Sequence, residues 1–144
     1  MGRMEAALRE TQVDGRLNGE EVVRVIIVDN NQAVRKQLSR ALARTSEFQV
    51  LKEMPVSKSA ASDVLSLRPE LVLLEVKTGD SLGMEICEEI SRLAPEISVV
   101  VLTSYTNEEE REKVLELGAQ AYLLKSVPSN WLTHEIKRLV LNKA

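Results

Sequence analysis

Cysteine and histidine each occur once in the 144 residues, as Cys87 and His134. A single thiol cannot close an internal disulfide, and the two side chains together cannot supply the ligand set of a zinc site. Rings are nearly as scarce. Phe48, Tyr105, Tyr122 and Trp131 are the only ones, which leaves no stacking platform for single-stranded nucleic acid. With only 4 Pro and 6 Gly the chain is neither collagen-like nor low in complexity. No apolar run approaches the roughly 20 residues that span a bilayer, and Met1 to Glu10 lack the apolar stretch of a secretory signal. The expectation is a cytoplasmic protein with no membrane contact. Neither sign of charge dominates: 19 Lys and Arg against 22 Asp and Glu give a net charge of −3. Such a balance does not suit a protein that works by neutralising phosphates, so direct nucleic-acid binding by this chain is not expected.

What is present is one domain's worth of chain, since domains cluster near ~100–150 residues. Residues 1–21 mix three glycines with alternating charges and read as a flexible extension, and 22–144 as the folded domain. From Val22 a β-branched run, VVRVIIV, stops abruptly at Asp29-Asn30, as a strand buried on both faces would. Gln32 to Arg44 carries Val34, Leu38, Ala41 and Leu42 at helical spacing. The alternation repeats. Phe48–Met54, Leu71–Leu74, Ile97–Leu102 and Ala121–Leu124 read as strands, and Ser57–Leu67, Met84–Leu93, a segment from Asn107 to Gly118 and one from Ser129 to Leu141 as helices. Asn107 is placed to cap a helix whose first turn is Glu108-Glu109-Glu110, and Gly118 to close it with a positive φ. Five strands alternating with five helices imply right-handed crossovers and a doubly wound five-stranded parallel sheet. Ligands of such sheets sit beyond the carboxyl ends of the strands. The residues there are Asp29 and Asn30, Glu75, Thr103 and Ser104, and Lys125. They combine oxygen ligands for a hard cation, a carboxylate able to act as nucleophile, a hydroxyl, and an ammonium for a phosphoryl oxygen.

This set, carried on VRVIIVDN, LRPELVLLE, VVVLTSY and GAQAYLLKSV, resembles the response-regulator receiver domain of two-component signalling over roughly Val22 to Asn142. The wording LVLLE, VVVLT and GAQAYLLK is most similar to receivers that carry a C-terminal helix-turn-helix domain. The resemblance implies a (βα)5, flavodoxin-like fold. It also implies that Glu75 stands at the phosphoacceptor position, Asp29 and Asn30 at the acidic pair, Thr103 and Lys125 at the hydroxyl and lysine, and Tyr122 at the aromatic switch. Two of these depart from the pattern. The acceptor is Glu75 where the family has aspartate, and Asn30 replaces the second acid. Glycine 79 stands where the loop after the acceptor usually has proline, and Ser126 follows Lys125 where many receivers have proline.

An extra methylene displaces the carboxylate by one carbon–carbon bond, and in-line displacement loses its advantage with errors near ~1 Å. Phosphoryl transfer to Glu75 should be very slow. Magnesium is held largely by carboxylate charge, so with Asn30 in the pair Asp29 is left as a weak site at most, and no cofactor is expected. A longer carboxylate reaching toward Lys125 and Thr103 would also form a contact of the kind phosphorylation creates, a built-in partial mimic or simply a structural pair. Asp29 is expected to orient Lys125. The expected function is a stand-alone pseudo-receiver: a phosphorylation-independent protein–protein module, not an enzyme. It would contact a protein partner or a second copy through its fourth helix, fifth strand and fifth helix. Glu109, Tyr105, Trp131 and Leu132 are the candidate contacts, Trp131 and Leu132 reading equally well as core. The alternatives are a weakly phosphorylatable, Mg-dependent response regulator, or the receiver part of a DNA-binding regulator. Cys87 reads as a buried hydrophobe, His134 as a solvated residue, and the Glu108 to Glu112 run as a solvated helix start.

Overall fold

The computed structural model describes residues 16–17, 20–77 and 79–141. Most of the expected extension therefore lies outside the described residues; within it Arg16–Leu17 and Glu20–Glu21 pair antiparallel. The main sheet is built from β1 (Val23–Val28), β2 (Phe48–Met54), β3 (Leu71–Glu75), β4 (Ser98–Thr103) and β5 (Ala121–Leu124). The helices are α1 (Gln32–Ala43), α2 (Ala60–Leu67), α3 (Leu82–Leu93), α4 (Glu108–Glu116) and α5 (Ser129–Leu141). All pairings in this sheet are parallel, in the order β2-β1-β3-β4-β5. This is the doubly wound parallel sheet that the alternation implies, in the flavodoxin-like form that the resemblance implies.

Side-chain alternation along the strands assigns the two faces. Ile26, Val28, Val72, Leu74, Val99 and Val101 point to one side and pack under α2, α3 and α4, with Ala60, Val64, Ile86, Cys87, Ile90 and Val114. Val25, Ile27, Leu71, Leu73, Val100 and Leu102 point to the other, against Leu38 and Leu42 of α1 and Leu132 and Ile136 of α5. The central strands are apolar at nearly every position because both faces are covered. Each such side chain contributes roughly 1.5–3 kcal/mol on burial. Parallel register then brings the strand ends level: Val28 lies beside Leu74, Glu75 beside Leu102, and Thr103 beside Leu124. Asp29, Glu75, Thr103 and Lys125 thus share one edge of the sheet.

Two helix starts differ from the sequence reading. Helix α3 begins at Leu82, so Gly83 lies inside it and does not precede it. A Cβ at Gly83 would lie 2.6 Å from the carbonyl oxygen of Glu75; the glycine allows close approach of the helix to the site strand. Helix α2 begins at Ala60, not Ser57, whose carbonyl instead accepts the Ala60 N–H in a preceding turn. The expected ends of α4 are as read. Asn107 Oδ1 accepts the Glu110 N–H at 2.8 Å, and Gly118 has φ +114°.

Candidate functional site

Lys125 follows β5, held in register by its N–H to the carbonyl of Thr103 at 2.9 Å. Its ammonium lies between two carboxylates, 2.6 Å from Glu75 Oε2 and 2.9 Å from Asp29 Oδ2. The contact to Glu75 is an aligned hydrogen bond, whereas Asp29 Oδ2 has no aligned donor and meets Lys125 as an ion pair. All three are shielded: Asp29 is 1% and Glu75 6% exposed, and the Lys125 side chain 12%. The remaining oxygens are also engaged. Glu75 Oε1 accepts the Asn30 N–H at 2.8 Å, and Asp29 Oδ1 accepts the Asn31 N–H at 2.8 Å. Asp29, expected to orient Lys125, lies within ion-pair distance of it.

Asn30 adds a clasp that sequence reasoning missed. Its Oδ1 accepts the N–H of Val56 at 2.8 Å, tying the loop after β2 to the loop after β1. The carbonyl oxygen that would have faced a cation is thereby used on backbone. A cavity bounded by Asn30, Val56, Glu75, Asp80 and Gly83 measures only about 10 Å³, room for about one water. A wider cavity of about 580 Å³ is lined by Lys77, Gly79 and Asp80 on one side and Thr103 to Tyr105 on the other.

The electrostatics follow from burial and from the shared lysine. Burial pushes the Asp29 carboxyl above the ordinary carboxylate range, against the opposing pull of Lys125 and the Asn31 N–H. Burial acts in the same sense on Glu75, but there Lys125 and the Asn30 N–H outweigh it and hold the carboxyl below its ordinary range. For Lys125 burial favours the neutral amine, yet Glu75 and Asp29 together hold the ammonium above its usual value. Two carboxylates on one ammonium titrate as a unit.

Thr103 does not join this network, contrary to the sequence expectation. Its hydroxyl donates to the carbonyl of Tyr105 at 2.9 Å and lies 3.5 Å from Glu110 Oε1. Tyr122, buried on the α4 side of the sheet, places its hydroxyl 2.5 Å from the same Glu110 oxygen and accepts the Asn107 N–H at 3.1 Å. Burial first, and then the Glu110 carboxylate, push the Tyr122 phenol above its usual value. Glu110 is thus a buried member of a charge run that reads as solvated. Its face could have been found from Val114 and Leu117, four and seven residues on.

The surface candidates separate. Tyr105 is 80% and Trp131 45% exposed, and Glu109 is exposed. Leu132, read equally as core or contact, is no contact residue: it is buried with Ile136 in the core beneath α5, where its i, i+4 spacing with that residue puts it. His134 and Ser104 are exposed. Cys87 is buried, and burial pushes its thiol up to about 11, so it stays protonated. Among the described residues no group of three acids, histidines or cysteines is placed to hold a metal ion. No helix among them is long and apolar enough to cross a membrane.

A parallel doubly wound sheet with acids at the ends of its first and third strands, a hydroxyl at the end of its fourth and a lysine following its fifth defines a class of signalling domain. Residues 25–137 match the family model of the response regulator receiver domain, and the chain belongs to that family. It is 30% identical over 122 residues to response regulator protein VraR of Staphylococcus saprophyticus, covering 85% of this chain and 58% of that protein. It is 29% identical over 116 residues to the DNA-binding transcriptional activator DevR/DosR of Mycobacterium tuberculosis, covering 81% of this chain and 54% of that protein. The chain therefore spans somewhat over half the length of these relatives. Among solved structures, the receiver domain of the putative response regulator NarL from Mycobacterium tuberculosis superposes with a TM-score of 0.79 at 18% identity, over 86% of this chain and all of that one. The BeF3-activated DrrB receiver domain superposes with a TM-score of 0.67 at 25% identity, over 84% and 99%.

Proposed function

We propose that this chain is a pseudo-receiver: a signalling module that acts by protein–protein contact, without phosphoryl transfer and without catalysis of its own. The observation that carries the reading is the closed ion network, in which both oxygens of Glu75 and the ammonium of Lys125 already have partners. A glutamate at the acceptor position projects its carboxylate about 1.5 Å further than aspartate, and here that reach is used to meet Lys125. A phosphodonor would have to displace the ammonium of Lys125 from Glu75.

The residues do not fit magnesium. Asp29 and Glu75 share Lys125, Asn30 Oδ1 is bonded to Val56, and the acids and lysine sum to a single negative charge. Hard divalent cations need several oxygen ligands, largely carboxylate. Two-dimensional NMR of the amides of Asn30, Glu75 and Val56 during a magnesium titration tests this. Shifts at these amides should stay unchanged through millimolar magnesium; a saturable millimolar-or-tighter response at Asn30 and Glu75 would refute the reading.

Contact is proposed to run through the face of α4, β5 and α5, where Glu109, Tyr105 and Trp131 are exposed together with the acidic start of α4. A second reading is favoured by the relatives. DevR/DosR is a DNA-binding transcriptional activator, and the receiver fold here would then govern a DNA-binding segment through the same face.

A further inference from the structure

We propose that Tyr122 is held in its buried position by Glu110 of α4, independently of the Glu75–Lys125 ion network, so that the switch side of this receiver is disconnected from its acidic pocket.

The proton count carries the argument. A phenol has one hydroxyl proton to give. The Tyr122 hydroxyl lies 2.5 Å from Glu110 Oε1 and 3.3 Å from the Tyr105 carbonyl, so the proton goes to Glu110. The Tyr105 carbonyl is served instead by Thr103, whose single hydroxyl proton is used at 2.9 Å. The Tyr122 oxygen in turn accepts the Asn107 N–H at 3.1 Å, and Asn107 Oδ1 caps the N–H of Glu110. The loop from Thr103 to Glu110 is thereby closed on itself, around a carboxylate only 6% exposed at the N-terminus of α4. That position suits a carboxylate, since the helix end carries partial positive charge and buried polar groups need partners.

The hydroxyls of Thr103 and Tyr122 bond to Tyr105, Glu110 and Asn107, and not to Asp29, Glu75 or Lys125. The ammonium of Lys125 reaches Asp29 and Glu75, and its link to Thr103 is the backbone ladder. For Thr103 to answer a charge at Glu75 its hydroxyl would have to leave the Tyr105 carbonyl, which would then lose its best donor. An element responds to a charge only through a differential interaction with its two states, and here the differential interaction belongs to Glu110.

The proposal does not depend on whether Glu75 accepts a phosphoryl group, so it stands or falls separately from the function proposed above. The test compares Glu110→Ala, Glu110→Gln and Glu75→Gln by NMR, reading the Tyr122 ring resonances and the exchange rate of the Asn107 amide. The chain has only two tyrosines, and exposed Tyr105 is an internal reference. Glu110→Ala should speed exchange at Asn107 by about tenfold, the change expected for loss of one such hydrogen bond, and move the Tyr122 ring. Glu110→Gln keeps the shape and one acceptor oxygen, and should move both readouts in the same direction but less. Glu75→Gln should leave both unchanged. A response to Glu75→Gln as large as that to Glu110→Gln, or no response of Tyr122 to either Glu110 substitution, would overturn the proposal. The comparison of the two glutamine variants decides it even where the alanine variant fails to fold.

Discussion

Replacing Lys125 with methionine should cost about 3–5 kcal/mol at neutral pH, the usual penalty for removing one partner of a buried ion pair. Methionine preserves most of the aliphatic stem, so the loss isolates the charge. Without the ammonium, Asp29 and Glu75 face each other at 1% and 6% exposure with only the Asn30 and Asn31 N–H groups as donors. One of them must then bind a proton or leave its site. The sign of the pH dependence follows from the wild-type shifts. Glu75, held below its ordinary value, contributes stability that is present above the unfolded pKa and lost as pH falls through the folded one. Lys125, held above its ordinary value, contributes stability present below the unfolded lysine pKa and lost as pH rises through the folded one. Asp29, raised by burial, acts in the opposite sense to Glu75 and is relieved by acid. In the methionine variant both carboxyls are raised, so its deficit should be greatest near neutral pH and shrink as acid protonates them. Urea denaturation of both proteins at neutral and mildly acidic pH measures this. A deficit that is equal at both would show that carboxylate repulsion is not the cause.

Glu75→Gln should cost less, about 1.5–3 kcal/mol, the range for a hydrogen bond to a charged group. Glutamine can still accept the Asn30 N–H with its carbonyl oxygen, but its NH2 then faces the ammonium of Lys125, donor against donor. Asp29 remains to hold the lysine. The same substitution made in the Lys125→Met background should have little cost or should stabilise, because it removes one of two unpaired buried carboxylates. The cycle should therefore show coupling within the ~0.5–3 kcal/mol seen for residues in one network. Strict additivity would mean that the two groups do not interact in solution, and with it the closed network would fail.

The parts of this molecule that were legible from sequence are those whose cause is local or periodic. VRVIIV, LVLL and SVVVL read as central strands because burial on both faces makes every position apolar. Register then fixes which residues share the sheet edge, so Asp29, Glu75 and Lys125 were placed together by counting from strand ends. The N-cap at Asn107 is local chemistry, and it is present. The departures have distant causes. The third helix reads from Met84, yet Gly83 lies inside it, at a point where a side chain would meet the carbonyl of Glu75. Asn30 reads as a weakened metal ligand, yet its amide oxygen holds Val56, 26 residues away. Glu110 belongs to a run of acids that reads as solvent-facing, and only its spacing with Val114 sets it apart from Glu108 and Glu109. Thr103 was expected to turn toward Glu75. Its hydroxyl donates instead to the carbonyl of Tyr105, two residues on.

The central claim is that Glu75 and Lys125 close the acceptor site against phosphorylation. Intact-mass spectrometry after incubation with acetyl phosphate and magnesium addresses it most directly, on the wild type and on the double variant Glu75→Asp with Asn30→Asp. The account predicts no added phosphoryl mass on the wild type under conditions where the double variant, with both acids restored and Lys125 in place, gains one. A wild-type chain that takes up a single phosphoryl group, lost on Glu75→Gln, would contradict it.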